Sequence, residues 1–210
     1  TYNINNKILE LKKANYPFVL IDRCFPKIDT NYVMIDNYQA SFHAVSTLLE
    51  KGYSKISTFT YSTKLYNMTE RLNGYKAALK SYGIRFNNRL APEVHFYNVN
   101  FDYIKDHIKH LVEKDGADAF FFQTNRTALP GLQALNSLGY KIPNDVAVIC
   151  FDDNEYFPLM YPPISSLVQP VEEIGMNSAK ILIDEITNKN SKKLKTKMVL
   201  KSKLIQRNSY

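Results

Sequence analysis

Two adjacent carboxylates follow an apolar segment of strand length, the run Val-Ala-Val-Ile-Cys-Phe-Asp-Asp at residues 146–153. In open α/β sheets, ligands bind beyond the carboxyl ends of the strands. Carboxylate oxygens at such a position suit hydroxyl-rich or cationic small molecules. Asp152 is therefore a candidate ligand-binding residue, with a capping carboxylate for the next turn as the alternative. Asp153 is the better candidate for a structural role, because the chain after it must be turned and capped.

A candidate cation accompanies these carboxylates. Arg71 lies in the first turn of a predicted helix at 67–82, near the end of a predicted strand at 56–60. A guanidinium holds two vicinal hydroxyls, or one carboxylate, in a fork of two hydrogen bonds. The alternative is an exposed arginine paired with Glu70 or Asp102.

Further candidate residues end or follow predicted strands, and these are Asp22, Tyr61, Tyr97, Thr124 and Asn125. Tyrosine rings can stack on the apolar face of a sugar while polar groups fix its orientation. The alternative for the two tyrosines is ordinary packing, since the chain contains 15 Tyr.

Patterns typical of enzymes and metal sites are weak. The sequence contains neither GxGxxG nor GxxxxGK[ST]. His107 and His110 are spaced i, i+3 on a predicted helix, and a polar helix face explains them better than a metal site does. The side chains of Asp152 and Asp153 are expected to point apart, which disfavours the paired carboxylates of a glycosidase. We therefore expect no catalysis, no metal and no cofactor.

The charge is concentrated late in the chain. Net charge is +7, and lysines recur without an intervening acid at positions 189, 192, 193, 195, 197, 201 and 203. Lysine on an edge strand blocks strand pairing, so this segment is interpreted as a solvated connection followed by an edge strand. Contact with an anionic surface is the alternative.

The cellular compartment is predicted from three features that the sequence lacks, namely a CxxC motif, a membrane span and a signal peptide. Cys24 and Cys150 are far apart and make no CxxC motif. No apolar run approaches the roughly 18 residues of a membrane span. The first 13 residues are polar and lack the apolar core of a signal peptide. A cytoplasmic protein without a membrane partner is the simplest expectation.

The elements that position these residues alternate between strand and helix. Strands are predicted at 18–21, 32–35, 56–60, 94–99, 119–122, 146–151 and 198–205. Helices are predicted at 37–51, 67–82, 101–114, 127–138 and 171–187. Such alternation indicates βαβ units and a mainly parallel sheet in an α/β fold. We expect an amino-terminal lobe from residues 1–34 plus 169–197, and a carboxyl-terminal lobe from 35–168 plus 198–210.

Eight short motifs occur in an order and spacing that resembles one known family. They are Phe-Val-Leu-Ile-Asp-Arg at 18–23, Asp-Asn at 36–37, Lys-Gly-Tyr-Ser-Lys-Ile at 51–56, Glu-Arg-Leu-Asn-Gly-Tyr at 70–75, Gly-Tyr-Lys-Ile-Pro at 139–143, Val-Ile-Cys-Phe-Asp-Asp at 148–153, Pro-Ile-Ser-Ser-Leu-Val-Gln-Pro at 163–170 and Leu-Ile-Gln-Arg at 204–207. The chain resembles the effector-binding domain of LacI/GalR transcription regulators, which is similar to periplasmic sugar-binding proteins.

The resemblance implies a two-lobed periplasmic-binding-protein-like fold, with parallel sheets flanked by helices, that closes over a sugar or sugar derivative. It assigns ligand contacts to Arg71 and Asp152, and it places Asp22 on the opposite lobe. Gln169, at a crossing between the lobes, is a further expected contact. The family usually has Asn-Asp where this chain has Thr124-Asn125, and a glycine where it has Pro130.

The same resemblance implies a repressor-like homodimer that contacts operator DNA through a helix-turn-helix headpiece. We expect that headpiece, and the first part of the amino-terminal lobe, to be absent from this sequence, so that the lobe is incomplete. A periplasmic sugar-binding protein or a sensor input domain is the main alternative. A hydrolase on a similar scaffold is a weaker alternative, because no base is found near a nucleophile.

Overall fold

The chain forms two compact units, each built from two separate segments. The computed structural model describes residues 2–62, 65–95, 99–187 and 194–210. Unit 1 comprises Thr1–Asp36 and Pro170–Lys201, and unit 2 comprises Asn37–Gln169 and Ser202–Tyr210. The chain therefore passes between the units three times.

Unit 1 contains a three-stranded parallel sheet with two helices. Its strands are β1 (Val19–Ile21), β2 (Asn31–Ile35) and β9 (Lys197–Leu200), in the order β1-β2-β9. Its helices are α1 (Tyr2–Lys13) and α6 (Val171–Thr187), and α6 packs on β1 and β2. Ile174 and Ser178 lie one turn apart on α6 and are both buried, so they belong to the face that this helix turns towards the sheet.

Unit 2 is built on a five-stranded sheet in the order β10-β8-β7-β6-β3. The strands are β3 (Ile56–Ser57), β6 (Ala119–Phe122), β7 (Ala147–Phe151), β8 (Ser165–Val168) and β10 (Lys203–Ile205). All neighbours pair in parallel except β10, which runs antiparallel to β8. A separate parallel pair is formed by β4 (Thr60–Tyr61) and β5 (Glu93–Val94). The parallel sheet confirms the predicted α/β class.

The helices of unit 2 pack in two pairs, α2 with α3 and α4 with α5. Their bounds are Asn37–Glu50 for α2, Tyr66–Ser81 for α3, Phe101–Glu113 for α4 and Asn125–Ser137 for α5. Every residue of β6 and β7 is buried. Strands buried on both faces are apolar throughout, without alternation, which is the pattern of residues 119–122 and 146–151.

Two predicted strands are each divided in the structure. The predicted strand 56–60 becomes β3 and β4, which belong to different sheets. The predicted strand 198–205 becomes β9 and β10, with a crossing between units at Lys201 and Ser202. Met198 pairs with Val33 in unit 1, so its assignment to the carboxyl-terminal lobe was wrong. The two halves of each run look alike in composition, and only the long-range pairing separates them.

Smaller differences concern element ends. The predicted strand 94–99 is limited to Glu93–Val94 before residues 96–98, which lie outside the described part of the chain. Helix α3 begins at Tyr66, one residue before its predicted start, and its cap residue Leu65 makes no side-chain hydrogen bond. Asn67 Oδ1 accepts a hydrogen bond from the Met68 amide at 3.0 Å.

The lysine-rich segment ends on a sheet edge, as predicted, because β9 is the outer strand of its sheet. Lys197 pairs with Asp29 at 3.0 Å, and Lys195 pairs with Glu185. Positions 189, 192 and 193 lie outside the described residues. Among the residues that the structure describes, no helix is long and apolar enough to cross a membrane.

Candidate functional site

Asp152 is held in an unusual backbone conformation at the carboxyl end of β7. Its φ is 68°, in the left-handed region that residues other than glycine seldom adopt. Its Oδ1 accepts a hydrogen bond from Gln169 Nε2, at the end of β8. Such backbone conformations cost energy and cluster at functional sites. The conformation and the hydrogen bond together fix the carboxylate at the sheet edge.

The neighbouring Asp153 has a structural role, as predicted. Arg207 donates to both of its oxygens, with Nη1 to Oδ1 at 2.8 Å and Nη2 to Oδ2 at 2.9 Å, and Ser166 Oγ donates to Oδ1 as well. The hydrogen bonds from Arg207 hold the pKa of the Asp153 carboxyl below its usual value, while partial burial opposes this shift. The two carboxylates thus have separate partners, which is consistent with the expectation that they point apart.

Arg71 is buried in α3 and fixed on three sides. Its Nε donates to Asn37 Oδ1 at 2.7 Å, and its Nη1 donates to the Gln123 backbone oxygen at 2.6 Å. The guanidinium carbon lies 3.5 Å from the centroid of the Phe151 ring, in cation–π contact. Phe151 directly precedes Asp152, so the Arg71 guanidinium packs against the residue next to the second principal candidate. The alternative of an exposed arginine is wrong, since Arg71 is only 3 % exposed.

A buried glutamine supports the arginine from the end of β6. Gln123 is buried, and its Nε2 donates to Thr58 Oγ1 at 3.0 Å. The Thr58 hydroxyl in turn donates to the Phe121 backbone oxygen at 2.7 Å. Buried polar groups of this kind are costly unless hydrogen-bonded, so the chain of bonds keeps the Gln123 carbonyl in place for Arg71.

The hydroxyl group of Tyr61, on β4 of the separate two-stranded sheet, meets that of Thr124, which lies beyond the end of β6. The Tyr61 hydroxyl lies 2.7 Å from Thr124 Oγ1, and either atom can be the donor. Burial raises the pKa of the Tyr61 hydroxyl, which therefore stays neutral at physiological pH. Thr124 precedes α5 as its cap residue and lies directly after Gln123.

Asn125 is engaged with the segment that follows Asp152. Its Oδ1 accepts a hydrogen bond from Asn154 Nδ2 at 2.5 Å. The three consecutive residues 152–154 are therefore bonded to three different places, namely the end of β8, the chain after β10 and the start of α5. These side-chain bonds hold the loop together with a backbone hydrogen bond from the Phe157 amide to the Asn154 oxygen at 3.0 Å.

Two predicted residues stand apart from this group. Asp22 belongs to unit 1, where it follows β1 with a φ of 66°. Its carboxylate lies 3.6 Å from Arg23 Nε. Asp22 thus shares with Asp152 both its position after a parallel strand and its left-handed backbone. Tyr97 lies outside the described residues.

The histidines considered as metal ligands have other neighbours. His107 Nδ1 lies 2.8 Å from the Tyr103 backbone oxygen, and His110 Nε2 lies 3.5 Å from Asp115 Oδ2. In the described ranges of the chain, no three His, Cys, Asp or Glu side chains come close enough together to hold a metal ion.

The arrangement in unit 2 combines a fixed cation, a fixed carboxylate, an amide and two hydroxyls. A carboxylate accepts hydrogen bonds and a guanidinium donates them, so together they match hydroxyl groups that do both. The partly buried Tyr61 ring adds apolar surface beside these polar groups. This chemistry suits recognition of a polyhydroxyl ligand.

Three supporting residues were missed from the sequence, namely Asn37, Gln123 and Asn154. Asn37 belongs to the Asp-Asn motif at 36–37, which carried the family resemblance but received no role. Gln123 directly follows a fully apolar strand, a position that could have marked it. Asn154 is separated by 29 residues from its partner Asn125, and no local pattern indicates that pairing.

Comparisons with known proteins agree with the fold. A family model described as "Periplasmic binding protein-like domain" matches residues 45–210. The chain is 30% identical over 202 residues to the HTH-type transcriptional regulator CelR of Thermobifida fusca, covering 95% of this chain and 58% of that protein. It is 31% identical over 180 residues to catabolite control protein A of Priestia megaterium, covering 82% of this chain and 52% of that protein.

The chain is also similar in structure to a solved transcriptional regulator. The chain superposes on a complex of the transcriptional regulator CelR with cellobiose, with a TM-score of 0.83 and 30% identity. That superposition covers 95% of this chain and 61% of the other. The chain thus spans little more than half the length of these curated relatives.

Proposed function

The chain belongs to the periplasmic binding protein-like domain family, in the form found in LacI/GalR-type transcriptional regulators, and from this premise we propose that it senses a small molecule for such a regulator. The ligand is a sugar or sugar derivative. Its binding changes the arrangement of the two units and thereby the affinity of the whole regulator for operator DNA.

One observation carries this proposal, namely the fixed pair of Arg71 and Asp152. Arg71 is buried against the Phe151 ring, and Asp152 follows that ring with a left-handed backbone. The left-handed backbone costs free energy in the folded protein, and a buried guanidinium is tolerated only because other groups hold it in place. A ligand that accepts from the arginine and donates to the carboxylate would explain why the chain maintains them.

The ligand class follows from the same groups. The neutral hydroxyls of Tyr61 and Thr124, with Gln169 beside Asp152, can exchange hydrogen bonds with sugar hydroxyls. The similar regulator CelR has been solved with cellobiose. Cellobiose is therefore the first sugar to test, followed by maltose, lactose, glucose and ribose. Asp22 is the proposed contribution of unit 1.

Calorimetric titration with this panel tests the proposal. We expect the wild type to bind at least one sugar. Arg71→Ala and Asp152→Ala should each weaken that binding by about 30–150-fold, or about 2–3 kcal/mol. The reason is that each substitution leaves hydroxyl groups of the bound sugar buried without a hydrogen-bond partner. Asn73→Ala is the control, since Asn73 lies on the same helix as Arg71 but is exposed and contacts Glu70. Unchanged affinity in both site variants, with folding intact, would refute this site.

Further partners and the compartment are part of the same proposal. The regulator binds operator DNA through a helix-turn-helix headpiece, acts as a homodimer in the cytoplasm and does not catalyse a reaction. A periplasmic sugar-binding protein or sensor input domain would use the same ligand chemistry without DNA. The gene sequence upstream of Thr1 discriminates between them, since a helix-turn-helix pattern supports the regulator and an apolar signal segment contradicts it.

A further inference from the structure

The main segment of unit 2 is bounded by two residues whose side chains bind the candidate ligand-binding residues. This segment begins at Asn37 and ends at Gln169. Asn37 Oδ1 accepts from Arg71 Nε at 2.7 Å, and Gln169 Nε2 donates to Asp152 Oδ1. Two of the three points at which the chain passes between units are therefore one hydrogen bond away from the proposed ligand contacts.

The first of these links is buried and rigid. Asn37 is 2 % exposed and Arg71 is 3 % exposed. A hydrogen bond between buried groups is not readily exchanged for one to water, and breaking it leaves both groups desolvated. The guanidinium is also held by the Gln123 carbonyl and the Phe151 ring. A ligand that moves Arg71 must therefore move Asn37 or lose this bond.

The backbone next to Asn37 continues the connection into unit 1. The amide of Asp36, the last residue of the first unit 1 segment, donates to the Leu200 backbone oxygen at 2.9 Å. Leu200 directly precedes Lys201, where the chain leaves unit 1 for the last time. The first and third passages between the units are thus bonded to each other.

We infer that Asn37 and Gln169 couple ligand binding at Arg71 and Asp152 to the passages between the two units. Asn37 does so as a positioning residue, and Gln169 does so through its bond to Asp152, in addition to its proposed contact with the sugar. This inference rests on the proposed function and concerns its regulation. A ligand shifts an equilibrium between two arrangements only by its difference in affinity for them. The side chains of Asn37 and Gln169 supply this difference in affinity. Each of them holds a ligand-binding side chain, and each lies at a point where the backbone passes between the units, so the orientation of that ligand-binding side chain depends on the backbone there.

Distances between spin labels on the two units, measured by pulsed electron resonance, test the coupling. Labels are placed on exposed helix positions with Lys109→Cys in unit 2 and Lys180→Cys in unit 1. Both native cysteines are buried, so the introduced thiols take the label selectively. The probe is cellobiose, or the sugar of the panel above that the wild type binds best, at saturating concentration.

In the wild type, saturation with sugar is expected to shift the label distance. Asn37→Ala removes the acceptor for Arg71, so we expect about 5–30-fold weaker binding and loss of most of the distance shift even at saturation. Asn37→Asp keeps an acceptor oxygen and is expected to retain the shift. Gln169→Ala, at a half-buried position that tolerates truncation better, is likewise expected to lose the shift. Asn73→Ala is the matched control.

A full distance shift in both alanine variants at saturation would overturn the inference while leaving the proposed function intact. Weaker sugar binding together with a full distance shift would also overturn the inference. Asn37 and Gln169 would then support the binding site without coupling it to the arrangement of the units. The inference would also be contradicted if the distance shift were lost in both Asn37→Asp and Asn73→Ala, since general destabilisation of the protein would then explain the loss in every variant. Failure of the wild type to bind any sugar would remove the proposed function and this inference together.

Discussion

The two neighbouring carboxylates after β7 show how one backbone angle separates two roles. With Asp152 at a φ of 68°, the chain turns sharply, so that Asp152 meets Gln169 while Asp153 meets Arg207. The sequence predicted from position alone that Asp153 has a structural role. It did not predict the partner of Asp153, because Arg207 is 54 residues away and its approach depends on the pairing of β10 with β8.

The ion pair of Asp153 predicts a pH dependence of stability. Because the folded-state pKa of Asp153 is lowered, its contribution is present above the unfolded pKa of about 3.9 and is lost as pH falls through the folded value. Asp153→Asn should therefore destabilise the protein by about 1–2 kcal/mol at pH 7, a figure reduced by the partial exposure of the pair. The difference should shrink below about pH 4.

Urea unfolding of the wild type and Asp153→Asn between pH 3 and 7 measures this effect. Asp106→Asn serves as the control, because Asp106 is an exposed residue on α4. A difference that stayed constant across this range would show that the charge of Asp153 is not what stabilises the loop.

At the scale of elements, α2 and α3 approach closely at one glycine. A Cβ on Gly74 would lie 2.2 Å from the Tyr38 backbone oxygen and 3.0 Å from the Phe42 amide nitrogen, both on α2. Backbone atoms within a helix are unable to move aside as a flexible side chain does. Gly74 is thus required for the packing that holds Arg71 of α3 near Asn37 of α2.

Gly74→Ala is accordingly expected to destabilise unit 2 by about 1–3 kcal/mol, although alanine favours helices, because the two helices must separate. Gly175→Ala on α6 is the matched control, since nothing lies within 4 Å of its added Cβ. It should instead stabilise the protein by about 0.5–1 kcal/mol. Thermal unfolding of both variants measures these changes in stability. Equal changes in stability from the two substitutions would contradict the packing argument.

Element type was more predictable than element pairing. Helices α2 to α6 and the buried strands β6 and β7 follow from periodicity and from apolar runs of strand length. The divided strands do not, because residues 56–61 and 197–205 keep strand-like composition throughout while their halves join different sheets. The candidate site shows the same limit: strand ends located Asp152 and Thr124, whereas Asn37 and Gln123 act through partners distant in sequence.

At the scale of the whole molecule, the net charge of +7 does not by itself indicate a DNA-binding surface. Lys195 and Lys197 pair with acids of unit 1, and β9 is an edge strand. We expect residues 1–210 to bind DNA only non-specifically, with an affinity that falls steeply with salt. A gel-shift assay at physiological salt tests this, and sequence-selective retention would refute it.

The last prediction concerns the surface that the proposed homodimer buries. In unit 2, the apolar residues of α4 and Phe157 lie in the core or pack against it. Leu159 and Tyr161, by contrast, are 85% and 103% exposed. Helix-turn-helix regulators read paired half-sites and are usually two-fold symmetric, so an apolar pair of this kind is expected to be covered by a second copy in the full-length regulator.

Sedimentation of the full-length protein at micromolar concentration measures this association. The wild type should sediment as a dimer, and Leu159→Asp should shift it towards monomer, because a carboxylate in an apolar interface loses its hydration without gaining a partner. Leu194→Asp is the matched control, since Leu194 is a comparably exposed leucine, at 96%, in unit 1. A wild type that sediments as a monomer while binding its operator would contradict the dimer. Dissociation by both variants would show that association does not depend on this surface, and the dimer would then need another interface.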